Sequence, residues 1–133
     1  MKKNKIISPY FKKGKFEGVR VTLGGEDFVI APKDYRDDKN IPYKLTWNEA
    51  MRVLENNNLD TWSHHQVCFT MAFCKEINRV LEDNGGNRLA NGYWTRTEYS
   101  PTCSYSFYCD DILSFDYKFE TFRIRPIKNL KNT

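Results

Sequence analysis

Two histidines, four cysteines and two pairs of adjacent aspartates carry most of the chemical repertoire of this 133-residue chain. His64 and His65 are neighbours, so on a helix or a strand they point in different directions, and no third ligand stands at metal spacing. They read as residues of a helix entry. Cys68, Cys74, Cys103 and Cys109 form two pairs, each spaced by six, whereas zinc knuckles need closer spacing such as C-x-x-C. On a helix that offset puts Cys68 and Cys74 on different faces; on a strand it holds Cys103 and Cys109 roughly 20 Å apart. Neither pair can bridge locally, and free thiols are expected. Cys68 stands four residues after His64, the offset of a nucleophile and its base on a helix, but a buried position on an apolar stripe accounts for it better. Asp37–Asp38 and Asp110–Asp111 read as turn residues, since adjacent carboxylates rarely face one substrate. Ser104 and Ser106 lack the context of a nucleophile elbow, and Gly85–Gly86 follows a helix where a phosphate-binding loop would precede one. The expectation is a non-enzymatic protein with no catalytic set, no metal site and no cofactor.

The other chemical resource is aromatic. Eight Tyr, nine Phe and three Trp make 15% of the chain, and they are densest from Tyr93 onward. In ILSFDYKF, strand alternation puts Leu113, Phe115, Tyr117 and Phe119 on one face and Ser114, Asp116 and Lys118 on the other. On pattern alone the aromatic face is core. Yet Tyr108, Asp110, Asp111, Phe115, Tyr117 and Phe122 together have the composition of a recognition surface: tyrosine gives rigid area with a polar tip, and Ser and Asp give adaptable hydrogen bonds. The aromatics outnumber what one small core needs, so some are expected to be exposed.

The elements that must position these side chains are legible along the chain. GVRVTLGGEDFVIA reads as two short strands around Gly24–Gly25, with Pro32 ending the second. After the polar connection DYRDDKNIPY, Thr46-Trp47-Asn48-Glu49 is a capping box that opens a helix with Trp47, Ala50, Met51 and Leu54 on one side. Ser63 and Gln66 open a second helix, whose stripe is Val67, Met71, Cys74, Ile77 and Leu81 and which Asn84-Gly85-Gly86 closes. From Gly92 the segments YWTRTEY, SYSFYC, ILSFDYKF and FRIRPI read as strands, with Asp110–Asp111 turning one hairpin. This order predicts a single α+β domain.

Composition narrows the classes further. No run of eighteen apolar residues is present, so membrane insertion is not expected. Only Ile6 and Ile7 follow the basic residues Met1 to Lys5, too few for a signal peptide, which disfavours secretion. The formal charge is +4, and Lys2, Lys3, Lys5, Lys12, Lys13 and Lys15 crowd one end. Residues 1–16 therefore read as a basic N-terminal arm and residues 17–133 as the domain. The remainder is near neutral without a basic stripe, so a nucleic-acid fold is disfavoured.

LTWNEAMRVLEN, MAFCKEINRVLEDNGG, GYWTRTEYS and FRIRPI, in this order and spacing, resemble bacterial and phage domains of the C-type-lectin-like, formylglycine-generating-enzyme-like fold. The resemblance spans residues 17–127. Ser63-His64-His65 stands where that family has an arginine-leucine-proline turn, and Tyr105 stands at its second tryptophan. The calcium motifs of true C-type lectins are missing, and Cys103 with Cys109 does not supply the close pair of the copper-dependent oxygenase branch.

The resemblance implies a C-type-lectin-like fold with two helices packed on short antiparallel sheets, framed by Trp94, Arg123 and Arg125. In similar domains the stretch between the tyrosine-tryptophan and arginine-x-arginine-proline blocks binds and varies, in some as a target of diversity-generating retroelements. The ligand-binding residues are thus expected to be Ser106, Tyr108, Asp110, Asp111, Phe115, Tyr117, Glu120 and Phe122. The expected protein is a phage virion component (head-decoration, fibre or tail-associated) that is made in the host cytoplasm. It would dock through its arm onto a virion or fibre protein and bind a host-surface glycan or protein. Three alternatives stand beside it: a purely structural decoration or fibre-cap protein whose aromatic face is a homo-oligomer interface, a bacterial surface adhesin, and an oxygenase relative.

Overall fold

In the computed structural model, which describes residues 6–8, 10–36, 44–109 and 113–130, the first hairpin forms around the glycine pair. Gly24 and Gly25 have φ of +59° and +82°, the left-handed pair that a tight two-residue hairpin turn requires. They join β2 (Phe16–Leu23) to β3 (Glu26–Ile30) in antiparallel register, Leu23 opposite Glu26 and Val19 opposite Ile30. Gly18 is needed for a different reason: with φ of +154°, a Cβ there would lie 1.8 Å from the Ile30 carbonyl oxygen. Within the segment expected as an arm, β1 (Phe11–Lys13) pairs with β2, and buried Ile7 bridges to Val21. A short last strand, β7 (Ile127–Asn129), completes the sheet in the order β1-β2-β3-β7.

Both capping boxes form as the sequence predicts. At α1 (Trp47–Asn56) the Glu49 amide donates to Thr46 Oγ1 at 3.4 Å and the Thr46 amide donates to Glu49 Oε1 at 3.0 Å. Ser63 and Gln66 do the same for α2 (His64–Ala72). The segment expected as one second helix is two, because the backbone opens at Phe73 (φ −120°, ψ 25°) before α3 (Cys74–Asp83) resumes. The stripe survives the break: Val67, Cys74, Ile77 and Leu81 are buried and Met71 is half-buried. Gly85, at φ +83°, then reverses the chain while the Gly86 amide donates to the Leu81 carbonyl.

The second sheet has the order β4-β5-β6: β4 (Asn91–Glu98), β5 (Cys103–Tyr108) and β6 (Leu113–Tyr117), all antiparallel. β4 is buried on both sides. Tyr93 faces a core of Val19, Phe28, Trp62, Ile77, Leu81 and Phe107, whereas Trp94 faces a second cluster with Ala50, Leu54 and Ile124. The protein is thus α+β, with three described helices and two small antiparallel sheets.

FRIRPI does not form the expected strand along its length; only its last residue, Ile127, enters β7. Its backbone is bonded to several segments in turn: Phe122 exchanges hydrogen bonds with Leu45, Arg123 with Gly92 and Trp94, Ile124 accepts from Tyr35, Pro126 accepts from Ala31, and Ile127 donates to Asp60. A free-thiol state for all four cysteines is also corrected. Cys74 and Cys109 are joined as a disulfide, one from each expected pair, across 35 residues. Local spacing cannot reveal such a link because tertiary packing of α3 on the end of β5 creates it. Cys68 is exposed, not on the buried stripe, while Cys103 is the buried free thiol.

Arg125 is fully buried. Its Nε donates to Asp34 Oδ1 at 2.9 Å, Nη1 to the Ala31 carbonyl at 2.9 Å, and Nη2 to the Asn87 and Arg88 carbonyls and the Tyr93 hydroxyl. Arg125→Met should destabilise the domain by about 3–5 kcal/mol, because the acidic and carbonyl partners lose their buried cation. Urea unfolding measures this, and a change below about 1 kcal/mol would contradict it.

Candidate binding surface

Strand register decides which aromatic side chains meet. Across β5 and β6, Phe107 lies opposite Leu113, Tyr105 opposite Phe115, and Cys103 opposite Tyr117. The expected alternation is therefore correct in parity, but its core assignment holds only at one end. Leu113 packs on the Phe107 and Trp62 core. Phe115, Tyr117 and Phe119 instead lie open at 49%, 55% and 73% exposure.

Those rings are organised by one another. The turn after β4 brings Tyr99 back over β6: its amide donates to the Cys103 carbonyl, and its ring stacks on Phe115 at 4.2 Å and 4°. Tyr99 also meets Tyr105 edge-on, and Tyr105 stacks on His64 at 5.0 Å. A second stack joins Tyr117 to Phe119 at 5.3 Å. The result is an aromatic row from His64 through Tyr105 and Tyr99 to Phe115, with Tyr117 and Phe119 stacked further along the same strand exit. Rings that touch in this way contribute beyond their buried area. His64 is anchored by its amide, which donates to Thr97 Oγ1. Burial, then the neighbouring His65, pushes its pKa below the usual histidine value.

The opposite face of the same strands is polar and turned inward. Ser106 is fully buried and donates to Asp116 Oδ2 at 2.5 Å, and the Tyr108 hydroxyl donates to the same oxygen at 3.2 Å. Ser104 lies beside them, also fully buried. Tyr108 meets Phe122 edge-on at 6.1 Å, and Phe122 in turn packs against Trp94 at 4.8 Å. Just past β6, Lys118 pairs with Glu98 at 2.6 Å and sits 4.7 Å from the Trp47 ring, which fixes the strand's exit.

The expected ligand-binding residues accordingly divide. Phe115, Tyr117 and Glu120 are exposed. Ser106 belongs to the interior, and Tyr108 and Phe122 are half-buried in the network beneath the surface. Asp110 and Asp111, like Asp37 and Asp38, lie outside the described residues. Of the expected framework, Trp94 and Arg125 are fully buried, and Arg123 lies 3.9 Å from Asp34. Tyr99 and His64 were not among the expected binding residues. The signal for Tyr99 is its place just before the Ser100-Pro101 turn, but only the β5–β6 register puts Phe115 beneath it. Among the described residues, no group of three or more His, Cys, Asp or Glu could hold a metal ion, and no helix is long and apolar enough to cross a membrane. No protein-family model matches the sequence, and comparison with curated proteins finds no match.

The Tyr108 pKa is pushed up to about 12, first by burial and then by the Asp116 carboxylate, whose negative charge opposes ionisation and which accepts a hydrogen bond from the neutral hydroxyl. The folded state thus favours neutral Tyr108. This contribution to stability is fully present below the ordinary tyrosine pKa near 10 and is lost as pH rises towards about 12. Asp116→Asn should lower the Tyr108 pKa while leaving it above the ordinary value, since burial persists. Ultraviolet titration of tyrosinate, with Tyr108→Phe to assign the step, reads this directly; an unchanged Tyr108 titration would contradict the Asp116 contribution.

Proposed function

We propose that this chain is a non-enzymatic binding domain of C-type-lectin-like fold, carried on a phage virion as a head-decoration, fibre or tail-associated protein. In this reading it meets a host-surface glycan or protein through the aromatic surface at the exit of β6. The observation that carries the proposal is the side-by-side exposure of Tyr99, Phe115, Tyr117 and Phe119. Single exposed aromatics are ordinary on a protein surface, but a stacked group held by a rigid sheet is a typical contact patch. Stacked rings lose little conformational freedom on binding, so more of their contact energy remains as affinity.

Support also comes from the α+β order of elements and from the resemblance of the helix-start, tyrosine-tryptophan and arginine-x-arginine-proline blocks. The framework residues of those blocks, Trp94 and Arg125, are fully buried. In the basic segment expected as an arm, which pairs with the sheet through β1, Lys12, Lys13 and Lys15 are exposed, which suits docking onto an acidic face of a virion or fibre protein.

The double variant Tyr117→Ser/Phe119→Ser separates surface from core. Both side chains are open and stacked on each other, so stability should change by no more than about 1.5 kcal/mol. Binding of purified protein to host-cell envelopes should weaken at least roughly tenfold. Unchanged binding would overturn the assignment of this surface. Loss of an oligomer on a sizing column, with no envelope binding by the parent protein, would make the surface a subunit interface of a structural virion protein instead.

A further inference from the structure

The Cys74–Cys109 disulfide stands apart from the aromatic surface and has features that structural packing does not require. Both cysteines line an open depression of about 740 Å³, whose charged lining residues are Lys75, Glu76, Arg79 and Arg88. Asn78 reaches both sulfurs, its Nδ2 lying 3.7 Å from Cys74 Sγ and 3.8 Å from Cys109 Sγ. The orientation of this amide is fixed from its other end, where the Leu89 backbone amide donates to Asn78 Oδ1 at 2.7 Å. A disulfide sulfur is a weak acceptor, and a buried donor aimed at it is poorly used. The same donor is well used once a sulfur carries negative charge. Three cations against one carboxylate around the depression act in the same direction, as does the place of Cys74 at the start of α3.

We propose that Cys74–Cys109 is a thiol–disulfide exchange site, opened through this depression by a dithiol reductant, and that it clasps the end of β5 onto α3. A thiolate of the dithiol attacks Cys109 Sγ, forming a mixed disulfide and breaking the bond to Cys74. Cys74 leaves as a thiolate received by the Asn78 amide, because the better-stabilised thiolate is the faster leaving group. The second thiolate of the dithiol then attacks its own sulfur in the mixed disulfide, closes a cyclic disulfide and expels Cys109. Two electrons pass to the protein, and the two protons given up by the dithiol balance the two new cysteine thiols. Tyr108 immediately precedes Cys109, so opening the clasp frees the strand end that carries the Tyr108–Asp116 contact.

The chain holds its own controls: Cys68 is an exposed free thiol and Cys103 a buried one. Full-length protein purified without reductant is treated with dithiothreitol under native conditions, quenched with iodoacetamide at intervals, and each cysteine is read by mass spectrometry. Cys68 should label without reductant, Cys74 and Cys109 only after it, and Cys103 should stay protected throughout. Labelling of Cys74 and Cys109 before reduction, or only in step with Cys103, would overturn the proposal, the first by removing the disulfide and the second by requiring global unfolding. After reduction, Cys74 should alkylate at lower pH than Cys68; coincident profiles would overturn the role of Asn78 and the cations. The reduced protein should melt lower by on the order of ten degrees, because the link closes a long loop. Equal midpoints for the two forms would mean that the pair clasps nothing.

Discussion

The buried guanidinium of Arg125 is the constraint on which the other contacts depend. It enters a region where three chain segments meet: the residues after β3, the turn after α3 and the start of β4. Each brings a carbonyl or hydroxyl oxygen that accepts from the guanidinium. Only arginine can answer all of them, since its planar fork carries five donors in fixed directions, whereas lysine would supply three from one point. Burying the charge is costly in isolation and tolerable here because Asp34 pairs with it at 2.9 Å. Asp34 is itself held by the Tyr93 hydroxyl, which donates at 2.6 Å. That contact sets the height of β4, and β4 sets the rest: with Tyr93 turned to one core, Trp94 must face the other, and β5 and β6 follow by register.

The parts of this arrangement that were legible in the sequence are those decided within a few residues. Thr46 with Glu49, Ser63 with Gln66, Gly24 with Gly25, and the glycine after α3 each satisfy local backbone groups or local dihedrals, so their chemistry is written next to them. The break at Phe73 has no such mark, since neither proline nor glycine stands there. FRIRPI misled for a related reason. Its alternation is that of a strand, but Phe122 to Pro126 gives its hydrogen bonds to several different segments, so it stitches the fold together before Ile127 joins the β3 ladder. The disulfide was hidden because the informative distance is between α3 and β5, not between neighbours in the chain.

The surface shows the same limit in another form. Parity is a local property, and Leu113, Phe115 and Tyr117 do share a face, while Phe119 lies past the strand and stacks on Tyr117. Whether that face turns inward depends on what else occupies the interior, which no periodicity records. Trp62, Tyr93 and Phe107 already close the first core with edge-to-face contacts near 5 Å, and only Leu113 of β6 still fits against them. On the other side, Asp116 draws its strand face inward because Ser106 and Tyr108 supply donors to one of its carboxylate oxygens. An edge strand anchored by its polar face must present its apolar face outward.

That inversion has a consequence for how the domain can change. The rings of Phe115, Tyr117 and Phe119 are not needed to fill either core, while the Ser106–Tyr108–Asp116 network beneath them fixes the strand regardless of which side chains it displays. Substitution at the displayed positions alters contact chemistry with little effect on folding, whereas substitution one residue away in β6 disturbs the anchor. Alternate positions along a single five-residue strand therefore differ in duty, Asp116 holding the scaffold while Phe115 and Tyr117 stand open to solvent.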